Sequence, residues 1–192
     1  MQLNREQWLD AAAQEMKSWL LECKDSDDYP DPLISVGFPK GSRGRNTSRA
    51  IGQCWDKSTS GDKQRAHIFI IPTLTDHETV LATLLHELVH ACVGNQCGHR
   101  GPFKSVAVEV GLTGKMTATV ASDALKPRLE SNVQKLGDYP HPGLEQPKRG
   151  SVGSRLLKVE CPRCGCIIRM TAKWLDSVGP PTCGCDTPMH PA

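Results

Sequence analysis

Apolar residues recur at helical spacing near the start of the chain and predict a first helix over residues 4–24. Asn4 and Gln7 are spaced as a capping box at its beginning. The apolar stripe that follows consists of Trp8, Leu9, Ala12, Ala13, Met16, Trp19 and Leu20. Such a stripe is typical of a helix that packs against a core, and we expect this role here.

A second helix is predicted in the middle of the chain. Thr75 and Glu78 have capping-box spacing, and Gly94-Asn95 marks the end of the helix. The apolar positions between them are Val80, Leu81, Leu84, Leu85, Leu88 and Val89. Gly101-Pro102 predicts the start of a third helix, with proline in its first turn and Gly111 at its end. Its apolar face consists of Phe103, Val106, Ala107 and Val110.

Three shorter apolar runs predict strands, and they cover residues 33–38, 51–55 and 67–71. The last run leads through Pro72 into the second helix. We therefore expect it to lie beside that helix as an edge strand along which a substrate chain could align. Helices mixed with short strands in this order indicate an α+β fold.

Composition and charge narrow the class of protein. Hydrophobic residues make up 38% of the chain and aromatic residues 5%, so the core must be mainly aliphatic. A net charge of +2 does not predict general nucleic-acid binding, but the loop of residues 39–50 carries four cations, which are either solvated or in contact with phosphate. These cations are Lys40, Arg43, Arg45 and Arg49. The start of the chain lacks the pattern of a signal peptide and no apolar run is long enough to cross a membrane, so we expect a cytoplasmic protein.

The second helix carries the sequence LLHELVH over residues 84–90. Histidines four residues apart are about 40° apart around a helix axis, so His86 and His90 project from one face and can bind one metal ion. Glu87 lies on the adjoining face, where it can act on a water molecule without being a ligand. This HExxH pattern is typical of zinc peptidases, in which the catalytic zinc has three protein ligands and one open position.

Three residues compete for the place of the third ligand, and the residues alone leave the choice open. The chain beyond Gly94 is long enough to return His99 to the metal, and Cys97 lies on the same path. Glu109, on the third helix, would supply a downstream glutamate as in other zinc peptidases. A donor to the oxyanion is also required, and its candidates are Arg100, Tyr139 and His141.

The cysteines indicate a second metal site. The chain has nine, and five of them fall in its last 32 residues: Cys161, Cys164, Cys166, Cys183 and Cys185. Closely spaced pairs without a secretory signal are typical of metal ligands in a reducing compartment. The thiolates of Cys161, Cys164, Cys183 and Cys185 predict a structural zinc ribbon. Cys166 is left over unless it replaces Cys164 or Cys185.

Arg169, Lys173 and Trp174 lie between the two cysteine pairs, where they could bind single-stranded nucleic acid through phosphate contacts and base stacking. For Trp174 itself we favour a place in the small core of the ribbon. The predicted organisation is a main domain over residues 1–125, a linker over 126–155 and a zinc ribbon over 156–192.

These motifs together resemble the SprT-like metallopeptidases, the family of Spartan-type proteases. The resemblance rests on LLHELVHA, on His99 and Phe103 in the sequence GHRGPF, and on the terminal cysteines, and it covers most of residues 5–120 and 156–190. In the family a glycine directly follows the third histidine, whereas Arg100 stands there in this chain. The segments GLTGKMTAT and LGDYPHP are similar to sequences from the phage-encoded branch of this family.

The resemblance implies a zincin-like fold, His99 as the third ligand, and cleavage of proteins bound to DNA. Zinc held by His86, His90 and His99 would activate a water molecule with Glu87 as general base, so we expect one catalytic and one structural Zn2+. We expect a monomer in the cytoplasm of a bacterium or of a phage-infected host, with a protein substrate, single-stranded DNA or DNA–protein complexes as partners, and no membrane. Two alternatives stay open: a site-specific peptidase that cuts a repressor, and a zinc- and DNA-binding protein without protease activity.

Overall fold

The computed structural model describes residues 3–24, 29–39, 50–145 and 156–191. The chain divides into two compact units, Met1–Gln146 and Pro147–Ala192. Both contain helices and small sheets, so the predicted α+β class is confirmed. Among the described helices, none combines the length and the apolar content that a membrane crossing requires. The basic loop residues Lys40, Arg43, Arg45 and Arg49 lie outside the described residues.

The first unit is built around three helices that the apolar pattern predicts. Helix α1 covers Arg5–Lys24, α2 covers His77–Val93 and α3 covers Pro102–Glu109. All seven residues of the α1 stripe are buried, and Asn4 and Gln7 form the reciprocal capping box, with N···O distances of 2.8 and 3.0 Å. The predicted cap of α2 is wrong, because Asp76 accepts the hydrogen bond from the backbone N–H of Thr79. Gly94 ends α2 as predicted.

A three-stranded sheet packs on α2. It consists of β1 (Leu33–Val36), β2 (Gly52–Trp55) and β3 (His67–Ile70), and a 3₁₀ helix at Lys57–Thr59 follows β2. Strand β3 lies in the centre, parallel to β1 and antiparallel to β2. The expectation that residues 67–71 form the edge strand is therefore wrong. The edge strand in contact with α2 is β2, because the fully buried Ile68 and Ile70 hold β3 in the middle of the sheet.

The segment after α3 forms a hairpin and a further helix. Strands β4 (Leu112–Lys115) and β5 (Ala118–Ala121) are antiparallel. Helix α4 covers Lys126–Leu136, and its buried Leu129 and Val133 belong to the core of the first unit. The prediction of a linker from residue 126 is therefore wrong over 126–145. The remainder of that linker, residues 146–155, lies outside the described residues.

Arg5 explains why residues 137–145 belong to the first unit. Its guanidinium group is buried and donates to five carbonyl oxygens, and its partners are Pro72, Leu74, Pro140, His141 and Pro142 at 2.7–3.4 Å. Trp8 donates from Nε1 to the carbonyl oxygen of Gly137 at 2.9 Å. The start of α1, the segment before α2 and the segment after α4 are thus joined by one buried cation, the Arg5 clamp.

The second unit is a small sheet with one short helix. Its strands are β6 (Leu156–Glu160), β7 (Ile167–Thr171) and β8 (His190–Pro191), with β6 in the centre, and helix α5 covers Ala172–Val178. Val159, Cys161 and Met189 form its buried core. Trp174 is 54% exposed, so its predicted place in that core is wrong. Leu175, the next residue, packs against the core instead.

We expect Arg5→Met to destabilise the first unit by about 2–4 kcal/mol, because it leaves five carbonyl groups without their donor while keeping an apolar stem. Urea unfolding followed by circular dichroism measures this loss. Arg128→Met is the control, since Arg128 is exposed and its guanidinium group covers the Trp19 ring, at 4.2 Å from the ring centroid. We expect this variant to cost about 1 kcal/mol or less. Equal stability of the two variants would contradict the structural role of the Arg5 clamp.

Candidate metal centres

Three imidazoles converge beside the C-terminal half of helix α2. The Nε2 atom of His99 lies 3.2 Å from the Nε2 atoms of both His86 and His90. Tetrahedral coordination with Zn–N bonds of about 2.05 Å places two nitrogen ligands about 3.3 Å apart. The three histidines therefore have the spacing that one bound zinc ion requires.

Local backbone conformation returns His99 to the helix. Gly98 and Gly101 flank this residue, and both have positive φ angles, 55° and 50°, which glycine adopts without strain. The glycine displaced from its position in the SprT-like pattern thus still provides a left-handed residue, two positions after His99. The turn leads directly into α3, whose Phe103 is fully buried.

Phe103 holds the three rings in place. Its ring centroid lies 4.9 Å from that of His86, 4.2 Å from that of His90 and 5.0 Å from that of His99. An aromatic ring in contact with all three imidazoles restricts their rotation and fills the space beneath them. Phe103, on the apolar face of α3, is therefore also part of the histidine site.

The environment keeps the imidazoles neutral. Burial, reinforced by the neighbouring imidazoles, lowers the pKa of His86 to about 4 and that of His90 to about 3. Burial also lowers the pKa of His99. A neutral imidazole has a lone pair for a metal ion, so these groups are available as ligands at pH 7 without first losing a proton.

The other two candidates for the third ligand do not join this group. The thiol of Cys97 lies 3.4 Å from the carbonyl oxygen of Gly94, within its own turn. Glu109 is exposed on α3. Among the described residues, only two groups could hold a metal ion, and the one in the first unit consists of His86, His90 and His99.

Glu87 is buried between α2 and the edge strand β2. Burial raises the pKa of its carboxyl group to about 8, and the backbone N–H of Cys54, which donates to the carboxylate, offsets part of that rise. The carbonyl oxygen of Cys54 accepts a hydrogen bond from Asn95 Nδ2 at 3.0 Å. Glu87 and Asn95 therefore bind both backbone groups of Cys54 and hold β2 against the helix that carries His86 and His90.

Gly52 makes this close approach possible. A Cβ atom at this position would lie 2.6 Å from Glu87 Oε1 and 2.7 Å from Thr83 Cγ2. The roles of Gly52, Cys54 and Asn95 at the site could not be predicted from the sequence, because they depend on the pairing of β2 with β3 and not on a local pattern.

The candidates for the oxyanion donor separate in the structure. Tyr139 packs against Trp8 and Arg5, and the neighbouring Asp138 lies 3.8 Å from His77 at the beginning of α2. Nine residues of helix, about 13 Å, separate His77 from His86. His141 belongs to the same segment, where its carbonyl accepts from Arg5. Arg100 alone of the three stays next to the site, as the exposed neighbour of His99.

The second group consists of the four predicted cysteines. Their Sγ atoms lie 3.6 Å apart for Cys161 and Cys185, 3.5 Å for Cys164 and Cys183, and 3.8 Å for Cys164 and Cys185. Zn–S bonds of about 2.3 Å in a tetrahedron place sulfur atoms about 3.8 Å apart, whereas a disulfide bond is about 2.05 Å long. All four are free thiols. The cluster therefore fits a tetrahedral zinc ion.

Backbone N–H groups favour the thiolate form of Cys161, whereas the pKa of Cys164 is raised by hydrogen bonds from its neighbouring thiols. The N–H group of Cys164 donates to the sulfur of Cys161 and lowers the pKa of that thiol. Cys166 does not belong to the cluster. It is exposed, and its carbonyl oxygen accepts from the backbone N–H of Cys161 at 2.9 Å, which closes the loop between β6 and β7.

The chain was compared with protein-family models, with curated proteins and with solved structures, and none of these comparisons found a match. The resemblance to SprT-like metallopeptidases therefore rests on the HExxH pattern, on His99 and Phe103, and on the terminal cysteines.

We expect two zinc ions per chain, one for each ligand group. His99→Ala should reduce the content to one ion, because two imidazoles hold zinc weakly, and the double variant Cys164→Ser/Cys183→Ser should also leave one. Elemental analysis by mass spectrometry measures the content. Cys166→Ser is the matched control and should keep both ions. A wild-type content of one ion or none would contradict the assignment.

We expect Gly52→Ala to destabilise the first unit by roughly 1–3 kcal/mol, because the added methyl group overlaps Glu87 and Thr83. Gly61→Ala is the control, since a Cβ atom there meets nothing within 4 Å. Its effect should stay within about 0.5 kcal/mol. Urea unfolding distinguishes the two, and a neutral Gly52→Ala variant would argue against tight packing of β2 on Glu87.

Proposed function

We propose that the chain is a zinc-dependent endopeptidase of the SprT-like type with a zincin-like fold. The observation that carries this proposal is the convergence of three imidazoles, in which Nε2 of His99 lies 3.2 Å from Nε2 of both His86 and His90, on a helix that also carries the buried Glu87. Three imidazoles leave one position of a tetrahedral zinc ion open, which is the arrangement of a catalytic rather than a structural site.

Each group in the site has a role in peptide hydrolysis. Zinc bound there would polarise the scissile carbonyl and bring the pKa of a water molecule close to neutrality. Glu87 would accept a proton from that water as general base and later deliver it to the leaving amine, because a cation bound by the three histidines would lower the pKa that burial raises in the metal-free site. Its position one residue after His86 places it on the adjoining face of the same helix, and it does not belong to the group of three ligands.

Strand β2 is suited to align a peptide substrate. The backbone N–H of Ile71 donates to the carbonyl of Ile51, and Gln53 is paired with Phe69, so the alternate residues Gly52 and Cys54 direct their backbone groups away from β3. Cys54 uses this outward direction to contact Glu87 and Asn95. The outward groups of Cys54 are thus already occupied, so a substrate chain aligned on this edge would have to pair with Gly52, which lies against Glu87.

The second unit supports an association with DNA. Trp174 is 54% exposed, and Lys173 Nζ lies 5.5 Å from the centroid of its ring. Lys158 and Arg169 face each other across β6 and β7. An exposed aromatic ring with cations fits single-stranded nucleic acid, which offers bases for stacking and phosphates for charge contacts. The proposed substrates are therefore proteins bound to DNA.

We expect Glu87→Gln to keep both metal ions and to lose peptide cleavage by 100-fold or more, because glutamine cannot take up the proton. The assay follows autocleavage and cleavage of a DNA-binding protein, with and without single-stranded DNA, and Glu145→Gln, an exposed residue at the end of the described first unit, is the control. Cleavage by the wild type should rise when DNA is present.

The alternatives give different results in the same assay. Undiminished cleavage of a free protein without DNA would favour a site-specific peptidase that cuts a repressor. Zinc content with salt-dependent DNA binding and no cleavage in any arm would overturn the protease proposal in favour of a DNA-binding protein. Cleavage by Glu87→Gln at the wild-type rate would remove Glu87 as the base.

A further inference from the structure

His86 has a polar partner behind its ring, and this partner comes from a distant part of the chain. Its Nδ1 atom lies 2.8 Å from Oγ1 of Thr119. Thr119 lies on β5, in the hairpin that packs on α2. The Nε2 atom of the same ring faces His99 at 3.2 Å. The ring is therefore held between the hydroxyl group on one side and the cluster of nitrogens on the other.

This contact selects one tautomer of His86. A neutral imidazole has its proton on one nitrogen and its lone pair on the other. When Nδ1–H donates to the threonine oxygen, Nε2 has the lone pair and can bind a metal ion. Histidine ligands in metal sites commonly use such a partner to fix the tautomer and the orientation of the ring.

His90 is held differently. Its Nδ1 atom is buried, and among the described residues it has no hydrogen-bond partner. The ring of Phe103, 4.2 Å away between centroids, packs against it instead. His86 is thus fixed by a hydrogen bond to the β4–β5 hairpin, whereas His90 is fixed by packing against Phe103.

We propose that Thr119 is a positioning residue that holds His86 in its metal-binding tautomer and orientation. This inference rests on the proposed function, since it concerns the same histidine site. The proposal also assigns a role to the β4–β5 hairpin. Leu112 and Ala121 anchor the hairpin in the core, while Thr119, which lies between them in the chain, directs its hydroxyl group to the metal helix.

The test compares Thr119→Val, which keeps the shape but removes the hydroxyl group, with Thr119→Ser, which keeps the hydroxyl group. Thr113→Val is the matched control, because Thr113 is exposed on the neighbouring strand of the same hairpin. Cobalt(II) is added to the metal-free full-length chain in competition with a chelator. Absorption bands of cobalt–thiolate bonds report the four-cysteine cluster, and the remaining visible bands report the histidine site.

We expect Thr119→Val to weaken cobalt binding at the histidine site by 10- to 100-fold. Thr119→Ser and Thr113→Val should bind within about threefold of the wild type, and the thiolate bands should be the same in all variants. Wild-type affinity of Thr119→Val would overturn the proposal, and so would an equal loss in Thr113→Val, which indicates a general disturbance of the hairpin. A wild-type chain that binds cobalt only through thiolates would overturn the proposed function itself.

Discussion

The burial of helix α2 is the constraint on which the first unit depends. Residues of α2 from Val80 to Val89 are almost all inaccessible to solvent, and α1, α3, α4, β2, β3 and β5 all pack against the helix. A helix enclosed in this way can keep polar side chains only where other elements satisfy them. Glu87 is buried under this condition, because the backbone N–H of Cys54 donates to it. His90 is buried as well, but its Nδ1 atom has no hydrogen-bond partner among the described residues. The candidate site is therefore the place where the packing around α2 leaves a polar opening.

Local sequence patterns predicted the parts of the structure that short-range physics determines. The stripe from Trp8 to Leu20 identifies α1 because apolar residues at helical spacing must face a core. HExxH identifies two ligands because the helix alone fixes their relative position. The four cysteines were predicted as one group because two close pairs have few other uses without disulfides. Even His99 was among the three candidates, since the short loop after Gly94 limits what can return to the helix.

Interactions between distant residues were not predictable from the same patterns. Thr119 and His86 are 33 residues apart, and neither has a local signal for the other. Residues 126–155 were predicted as a linker, although Pro127 in the first turn and Gly137 at the end are both compatible with helix α4. The order of the strands was also missed, because the continuity of β3 with α2 along the chain does not determine which strand lies beside the helix. Trp174 was assigned to a core that is too small to hold it.

The Arg5 clamp has a consequence for the order in which the chain can fold during synthesis. Arg5 emerges from the ribosome well before one of its acceptors, the carbonyl of Pro140, which is 135 residues further along. Until that segment has been translated, a cation and the apolar stripe of α1 lack part of their final surroundings. Helix α1 therefore depends on residues that are translated late, such as Pro140. It reaches its native packing only near the end of the translation of the first unit.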